Sequence, residues 1–297
     1  MSKKIVFFGN ERLVSGLKST TNPVLRSLIA AGYDMAAVVS HHSDGNSRNN
    51  RELEVASVAA EHGIPVLLPN KPAEIIEELK ALGAEIAVLV AYGRIIPQSV
   101  IDIFPGGIIN IHPSLLPKYR GPTPIESAIA NGDSVTGVSI MRLTAGMDEG
   151  PVYQQLSVPL THTTSKFELY ETLAQQSAQL LIEILPSITD ASLKPVEQSG
   201  EAVYCTLLTK ADGVLKPDEF SAEQNERFVR AHLGFPKTKA NIYGHDIIIT
   251  KAHVESEQKT PLDILCLDGA FLSVDELVAP SGKVMSAQAF LNGYASA

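Results

Sequence analysis

Apolar residues along this chain fall into short unbroken runs, separated by stretches in which they recur at helical spacing. Runs of that kind predict strands buried on both faces, with helices between them. Residues 4 to 8, KIVFF, form the first run, and Gly9 ends it. Asn22-Pro23 then opens a helical pattern with Val24, Leu25, Leu28 and Ile29 on one face and Gly32 as its C-cap. MAAVVS, 35 to 40, predicts a second strand, and the polar SDGNSRNN, 43 to 50, has the composition of a turn-rich loop. Leu53, Val55, Val58 and Ala59 predict a helix that ends near Gly63. IPVLLP, EIAVLVAYG and GGIINIH predict three more strands, with the helix IIEELKAL between the first two. Strands alternating with helices in this way specify a parallel sheet covered on both faces.

The rhythm continues past Gly121. A helix is predicted through Ile125, Ala128 and Ile129 to Gly132, then strands in VTGVSIMRL and VYQQLSVPL, then a long amphipathic helix in SKFELYETLAQQSAQLLIEILPSI. Between 187 and 212 it is lost, which predicts a first domain over 1–187, a linker over 188–207 and a second domain over 208–297. The second domain opens with a helix over 221–232. TKANIYG, HDIIITKAHVE, LDILCLDG and AFLSVDELV follow as short strands with turn signals between them. The expected class is α/β: a doubly wound, Rossmann-like domain with a mostly parallel sheet, followed by a smaller OB-like β-barrel.

Composition narrows the function. With 297 residues and 44% hydrophobic content the chain can bury one large core or two, and a Rossmann-sized domain plus a smaller one is the natural expectation. A net charge of −9 excludes a general nucleic-acid binder but leaves room for a local basic patch. Two cysteines, Cys205 and Cys266, are too few for a disulfide framework or a cysteine-rich metal site, so a reducing, cytoplasmic setting is expected. MSKKIVFFGN runs straight into a strand without a leader pattern, and no apolar run is long enough to span a bilayer. Neither G-x-G-x-x-G nor G-x-x-x-x-G-K-[ST] occurs, nor does G-x-S-x-G. Those absences count against a dehydrogenase, an NTPase and an α/β-hydrolase.

Candidate chemistry gathers at the end of the fifth run. In a strand, alternate side chains share a face, so Asn110 and His112 point the same way at the carboxyl end of GIINIH. Ligands of open α/β sheets bind at that end. An Asn amide can donate to a developing oxyanion, and a His can exchange a proton near neutral pH. The competing reading is that both residues only cap the strand. Asp148, in the glycine-flanked TAGMDEGP, is either an ordinary turn aspartate or the carboxylate that orients His112 and favours its charged form. His41 and His42 lack a third ligand and read as a polar loop edge; no metal is expected.

Taken together these segments are recognisable. N-I-H-P-S-L-L-P-K-Y-R-G from Asn110, followed by M-D-E-G-P at 147–151, resembles the 10-formyltetrahydrofolate-dependent formyltransferase family. The resemblance extends through V-A-Y-G-R-I-I-P at 90–97 and G-D-S-V-T-G-V-S-I-M at 132–141, covering most of residues 1–185. S-A-E-Q-N-E-R-F-V-R-A-H, F-P-K-T-K-A-N-I-Y-G and G-K-V-M-S-A-Q-A-F-L-N-G-Y resemble the C-terminal domain of the branch that acts on charged tRNA. The resemblance implies a catalytic trio of Asn110, His112 and Asp148. It implies a folate-binding loop of Ser114, Leu115, Leu116 and Pro117, with Ala91, Tyr92 and Gly93 near the pterin pocket. It also implies 10-formyltetrahydrofolate as co-substrate, initiator methionyl-tRNA as acceptor and partner, no membrane partner and a monomer. A mobile loop that enters the acceptor stem falls on 42–51, with Arg48 and Arg51 as its cations.

The chain also departs from that branch. Tyr119 stands where Trp is usual before R-G, P-T-P follows where A-A-P is usual, and the first turn is G-N-E-R rather than G-T-x-x-F. The 42–51 loop lacks a Lys-rich core. K-Y-R-G also occurs in sugar-nucleotide N-formyltransferases, so an amino-sugar acceptor remains the alternative. A formyltetrahydrofolate hydrolase is expected to carry a further N-terminal segment, and none precedes Met1. In the second domain Arg227, Arg230, Lys237, Lys239 and Lys251 cluster where acids thin out. They form either a phosphate-contacting strip or a solvated mixed-charge face, and Arg227, Arg230, Lys237 and Lys239 are the expected tRNA contacts.

Overall fold

A computed structural model describes residues 4–41 and 53–294. The 42–51 loop, with Arg48 and Arg51, lies outside the described residues. The first part of the chain runs β1 (Lys4–Gly9), α1 (Pro23–Ala30), β2 (Asp34–Val39), α2 (Glu54–Glu61), β3 (Val66–Leu67), α3 (Ile76–Leu82), β4 (Ile86–Val90), α4 (Gln98–Ile101) and β5 (Ile108–His112). It continues with α5 (Pro124–Asn131), β6 (Val135–Arg142), β7 (Val152–Pro159) and the long α6 (Lys166–Thr189).

These seven strands form one sheet in the order β3-β2-β1-β4-β5-β6-β7. The first five are parallel, and the chain switches direction of growth between β1 and β4. β6 and β7 run antiparallel to their neighbours, so the sheet is mostly rather than wholly parallel. Period-2 alternation divides the core. Ile5, Phe7, Ile86, Val88, Ile109 and Ile111 face α1, α2 and α6, while Val6, Phe8, Ala87, Leu89 and Ile108 face α3 and α4. Phe7 and Phe8 are fully buried on opposite faces, each worth roughly 1.5–3 kcal/mol of apolar burial.

Local sequence sets the helix starts. Ser165 and Glu168 form a capping box at α6, as do Ser221 and Gln224 at α7 (Ala222–Ala231), satisfying amides that the first turn leaves free. α1 is capped differently. Asn22 has no side-chain capping bond; instead the buried carboxylate of Glu11 accepts from Val24 N at 2.9 Å and Leu25 N at 2.8 Å. The unusual G-N-E-R turn therefore supplies a helix cap from outside the helix.

The second part comprises α7, β8 (Thr238–Ile242), β9 (His245–Glu255), β10 (Ile264–Leu265), β11 (Phe271–Val278), β12 (Val284–Ser286) and α8 (Ala287–Tyr294). The strands form an all-antiparallel sheet, β10-β11-β9-β8 with β12 on β11, consistent with a barrel-like domain. The long β9 pairs with β8 through its first half and with β11 over most of its length. Its core, built on Val229, Ile249, Leu272, Leu277 and Phe290, is separate from the first. β12 and α8 correspond to G-K-V-M-S-A-Q-A-F-L-N-G-Y.

Residues 196–206, expected to lie in a linker, are held against the first domain. Val196 and Val152 exchange two backbone hydrogen bonds at 2.8 Å. Val203 N donates to Pro117 O at 3.1 Å, Arg120 N to Val203 O at 2.9 Å and Cys205 N to Arg120 O at 2.8 Å.

Candidate active site

The strand β5 sets the first two groups. Asn110 and His112 have the same parity as Ile108, so their side chains share one face, as the alternation predicts, and both are buried. Leu89 of β4 pairs with Asn110, which puts the turn Ala91–Gly93 beside His112 at the carboxyl edge of the sheet.

The third group arrives from the loop between β6 and β7. Asp148 Oδ2 lies 3.6 Å from His112 Nδ1, and Asn110 Nδ2 lies 3.5 Å from Asp148 Oδ1. The structure thus brings together the three residues that the sequence singled out. His112 Nε2 is 2.8 Å from the carbonyl oxygen of Tyr119. Both ring nitrogens therefore face oxygen atoms, those of Asp148 and of the Tyr119 carbonyl.

Asp148 is held in an unfavourable backbone conformation, φ 50°, which costs a non-glycine residue roughly 1–3 kcal/mol. Several bonds determine it. Gly121 N donates to Asp148 Oδ2 at 2.8 Å. Gly121 has φ 117°, and a Cβ there would stand 2.4 Å from Cys205 O, so no larger residue fits this donor position. At Gly150 a Cβ would meet Arg142 O at 1.9 Å. Gln198 Nε2 donates to Asp148 O at 2.7 Å and Gly150 O at 2.8 Å. Gln198 was not singled out in the sequence, because it lies in an aperiodic stretch fifty residues from Asp148.

The loop after β5 is anchored from β6 and β7. Ser139 Oγ donates to Ser114 O at 2.6 Å and accepts from Leu116 N at 3.0 Å, and Gln155 Nε2 donates to Leu116 O at 2.9 Å. Ser114 and Leu116 are buried, and the Ser114 hydroxyl donates to Lys118 O at 2.5 Å. Leu115 and Pro117 are partly exposed. At the neighbouring turn, Ala91 (φ 49°) and Gly93 (φ 73°) are left-handed, and Tyr92 O lies 2.7 Å from His41 Nε2. The Tyr92 ring belongs to the core, edge-on to Phe8, and burial raises its pKa.

The cations of the second domain divide into two groups. Arg227 donates from Nε to Ala130 O at 3.1 Å, across the seam between α7 and α5. Arg230 pairs with Glu226 at 2.7 Å and donates to Thr164 O at 2.9 Å. These two, expected on a phosphate-contacting strip, are engaged in joining the domains. Lys237 is exposed and Lys239 half-buried. Beneath the same seam Lys166, fully buried, donates to Ser15 O at 2.9 Å and Phe235 O at 2.8 Å and stands 3.6 Å from Glu126. Burial lowers its pKa to about 8 against the opposing pull of Glu126. Among the described residues, no three His, Cys, Asp or Glu side chains converge as a metal site, and no helix is long and apolar enough to cross a membrane.

An amide, an imidazole and a carboxylate converge at the carboxyl edge of an open α/β sheet, where such folds bind ligands, and comparison with known proteins gives the class of enzyme. The family model described as formyl transferase matches residues 3–185. A methionyl-tRNA formyltransferase from Thermodesulfovibrio yellowstonii is 32% identical, over 99% of this chain and 96% of that protein. One from Chloroflexus aggregans is 42% identical over 77% of this chain and 76% of that protein. The chain belongs to the formyl transferase family, in the branch of the methionyl-tRNA formyltransferases. An N-formyltransferase from Helicobacter canadensis, solved with folinic acid and dTDP-3-aminofucose, shares the fold at a TM-score of 0.70 with 17% identity, covering 92% of this chain and 99% of that one.

Proposed function

We propose that this enzyme transfers the formyl group of 10-formyltetrahydrofolate to the α-amino group of initiator methionyl-tRNA, acting as a monomer in the cytoplasm. The observation that carries this reading is a match of the tRNA-acting relatives across both domains, 99% of the chain in one case, joined to a catalytic trio whose members lie within 3.6 Å of the shared Asp148 carboxylate.

The folate donor, when bound, supplies an activated formyl group. Leu115 and Pro117 on the loop after β5, and the backbone of Ala91–Gly93 at the end of β4, are the groups that would hold it. Both segments adjoin Asn110 and His112, and the left-handed turn at Gly93 leaves its backbone exposed. Ser114, Leu116 and the Tyr92 ring shape the site from within.

As the methionyl amine adds to the formyl carbon, negative charge grows on the formyl oxygen. The Asn110 amide and the His112 ring, fixed before the reaction begins, are the groups that stabilise that charge. Asp148 orients His112 and, directly or through a water molecule, takes the proton that the methionyl nitrogen loses once it has bonded to the formyl carbon; the bond from that carbon to the folate nitrogen then breaks, and the folate nitrogen leaves protonated, as tetrahydrofolate. Lys237 and Lys239, with Arg48 and Arg51 of the 42–51 segment, are the proposed phosphate contacts. Arg227 and Arg230 contribute by seating the second domain.

The test is a direct comparison of acceptors. Purified enzyme with 10-formyltetrahydrofolate is offered initiator methionyl-tRNA and a panel of amino-sugar nucleotides. Formylmethionyl-tRNA as the dominant product supports the reading. Turnover confined to amino sugars would leave the formyl transfer standing and remove the tRNA assignment.

A further inference from the structure

We propose that Gln198 is a positioning residue for formyl transfer, holding Asp148 in the conformation that faces His112, so that the connection between the two domains forms part of the catalytic site. The inference rests on reading Asn110, His112 and Asp148 as one catalytic unit.

Gln198 lies between two points where the connection is fastened to the first domain. Val196 is bonded to Val152 on one side of it, and Val203 and Cys205 to the 117–120 segment on the other. From there its carboxamide reaches two pieces of the site at once. Nε2 donates to Asp148 O at 2.7 Å and to Gly150 O at 2.8 Å. Oε1 accepts from Arg120 Nε at 3.1 Å and Arg120 Nη2 at 2.8 Å. A carboxamide has two N–H donors and one oxygen with two lone pairs, and here all four are used.

The two pieces it joins are those that control the trio. Arg120 lies between Tyr119, whose carbonyl contacts His112 Nε2, and Gly121, whose N–H holds Asp148 Oδ2. The 148–150 turn carries the carboxylate itself, on a left-handed residue that needs external bonds to stay there. Arg120 is further braced by the Tyr204 hydroxyl at 3.1 Å and by Glu149 at 3.6 Å, so the acceptor side of Gln198 is itself fixed. Among the described residues, the donors of Gln198 are what tie the connection to the backbone of Asp148. Without them the turn loses the restraint on its own carbonyl, and the Gly121 bond to the Asp148 carboxylate opens more often. A displacement of about 1 Å at a reacting group can cost up to about 10²-fold in rate.

A residue that merely fastens the connection would act on stability, and the variants separate the two roles. Gln198→Ala removes the clamp. Gln198→Glu keeps the size and the acceptor for Arg120 but sets an oxygen against the carbonyls of Asp148 and Gly150. Single-turnover rates and KM for both substrates are measured for these two variants, for Asp148→Asn and for the Gln198→Ala/Asp148→Asn pair. Hydrogen exchange of the Gly121 amide is followed in parallel. Both Gln198 variants are expected to lose about 10- to 100-fold in kcat, with little change in either KM and faster exchange at Gly121. Gln198→Ala is expected to have no further effect once Asp148 is Asn, because its role runs through that carboxylate. Unchanged kcat with a lowered melting temperature, or an undiminished further loss in the Asp148→Asn background, would overturn the proposal. Near-normal kcat in Asp148→Asn alone would instead remove the reading of the trio, a result distinct from either.

Discussion

Lys166, on the long helix of the first domain, donates its ammonium to the carbonyl oxygen of Phe235 in the second, at 2.8 Å. The lysine is fully buried and also serves Ser15 O and approaches Glu126, so this side chain joins Arg227 and Arg230 in fastening the two domains to each other. Removing one partner from a buried charged cluster costs about 3–5 kcal/mol, because the remaining groups stay dehydrated and unpaired. Lys166→Met is expected to lower stability on that scale and to speed proteolysis within 188–207. A melting curve and cleavage rate equal to those of the native enzyme would show that the seam is held elsewhere.

Glu11 links stability to pH. Burial raises its pKa from 4.5 to about 7, against the backbone amides of Leu25 and Val24 that favour the ionised form. The folded state thus holds this proton more tightly than the unfolded chain. The resulting stabilisation is complete below about pH 4.5 and is lost as pH rises through about 7. At about 1.4 kcal/mol per unit the change is on the order of 3 kcal/mol. Glu11→Gln cannot ionise, so its stability is expected to fall less than that of the native enzyme between pH 4.5 and pH 7.5. Urea unfolding across that range checks it, and parallel curves for the two proteins would contradict the assignment.

The cations of the second domain are expected to separate by role. Lys237→Glu with Lys239→Glu should raise the KM for tRNA and flatten its salt dependence, by about 0.9 in log–log slope for each phosphate no longer neutralised. The melting temperature should change little. Arg227→Ala and Arg230→Ala should do the reverse, lowering the melting temperature because their hydrogen bonds to Ala130 and Thr164 are removed. A steeper tRNA defect in the arginine variants than in the lysine pair would show that the seam residues touch the nucleic acid.

Much of this was legible in the sequence, for identifiable reasons. Continuous apolar runs marked the strands, and period-2 alternation put Asn110 and His112 on one face. Strand direction was not legible. β6 is buried on both sides apart from its ends, and its residues therefore read like those of a parallel strand. The seam bonds of Arg227 and Arg230 were not legible from cations counted along the chain rather than around a helix. Glu223 with Arg227 and Glu226 with Arg230 are i,i+4 pairs on α7, a spacing that already marks arginines with a local partner. Asp148 was separable from an ordinary turn aspartate only through the family resemblance, since its approach to His112 depends on how β6 and β7 return to β5. Gln198 left no trace, because a carboxamide acting on backbone atoms fifty residues away has no periodicity to betray it.

The central claim is that Asn110, His112 and Asp148 act as one unit in formyl transfer to methionyl-tRNA. Its most direct test is a rapid-quench single turnover with initiator methionyl-tRNA and 10-formyltetrahydrofolate, both saturating, for the native enzyme and for Asn110→Ala, His112→Ala and Asp148→Asn. Each variant is predicted to slow the chemical step by about 10²–10⁴-fold, with folding intact and with combined losses well short of the product of the single ones. A near-native rate in His112→Ala, or losses that multiply across the three, would contradict it.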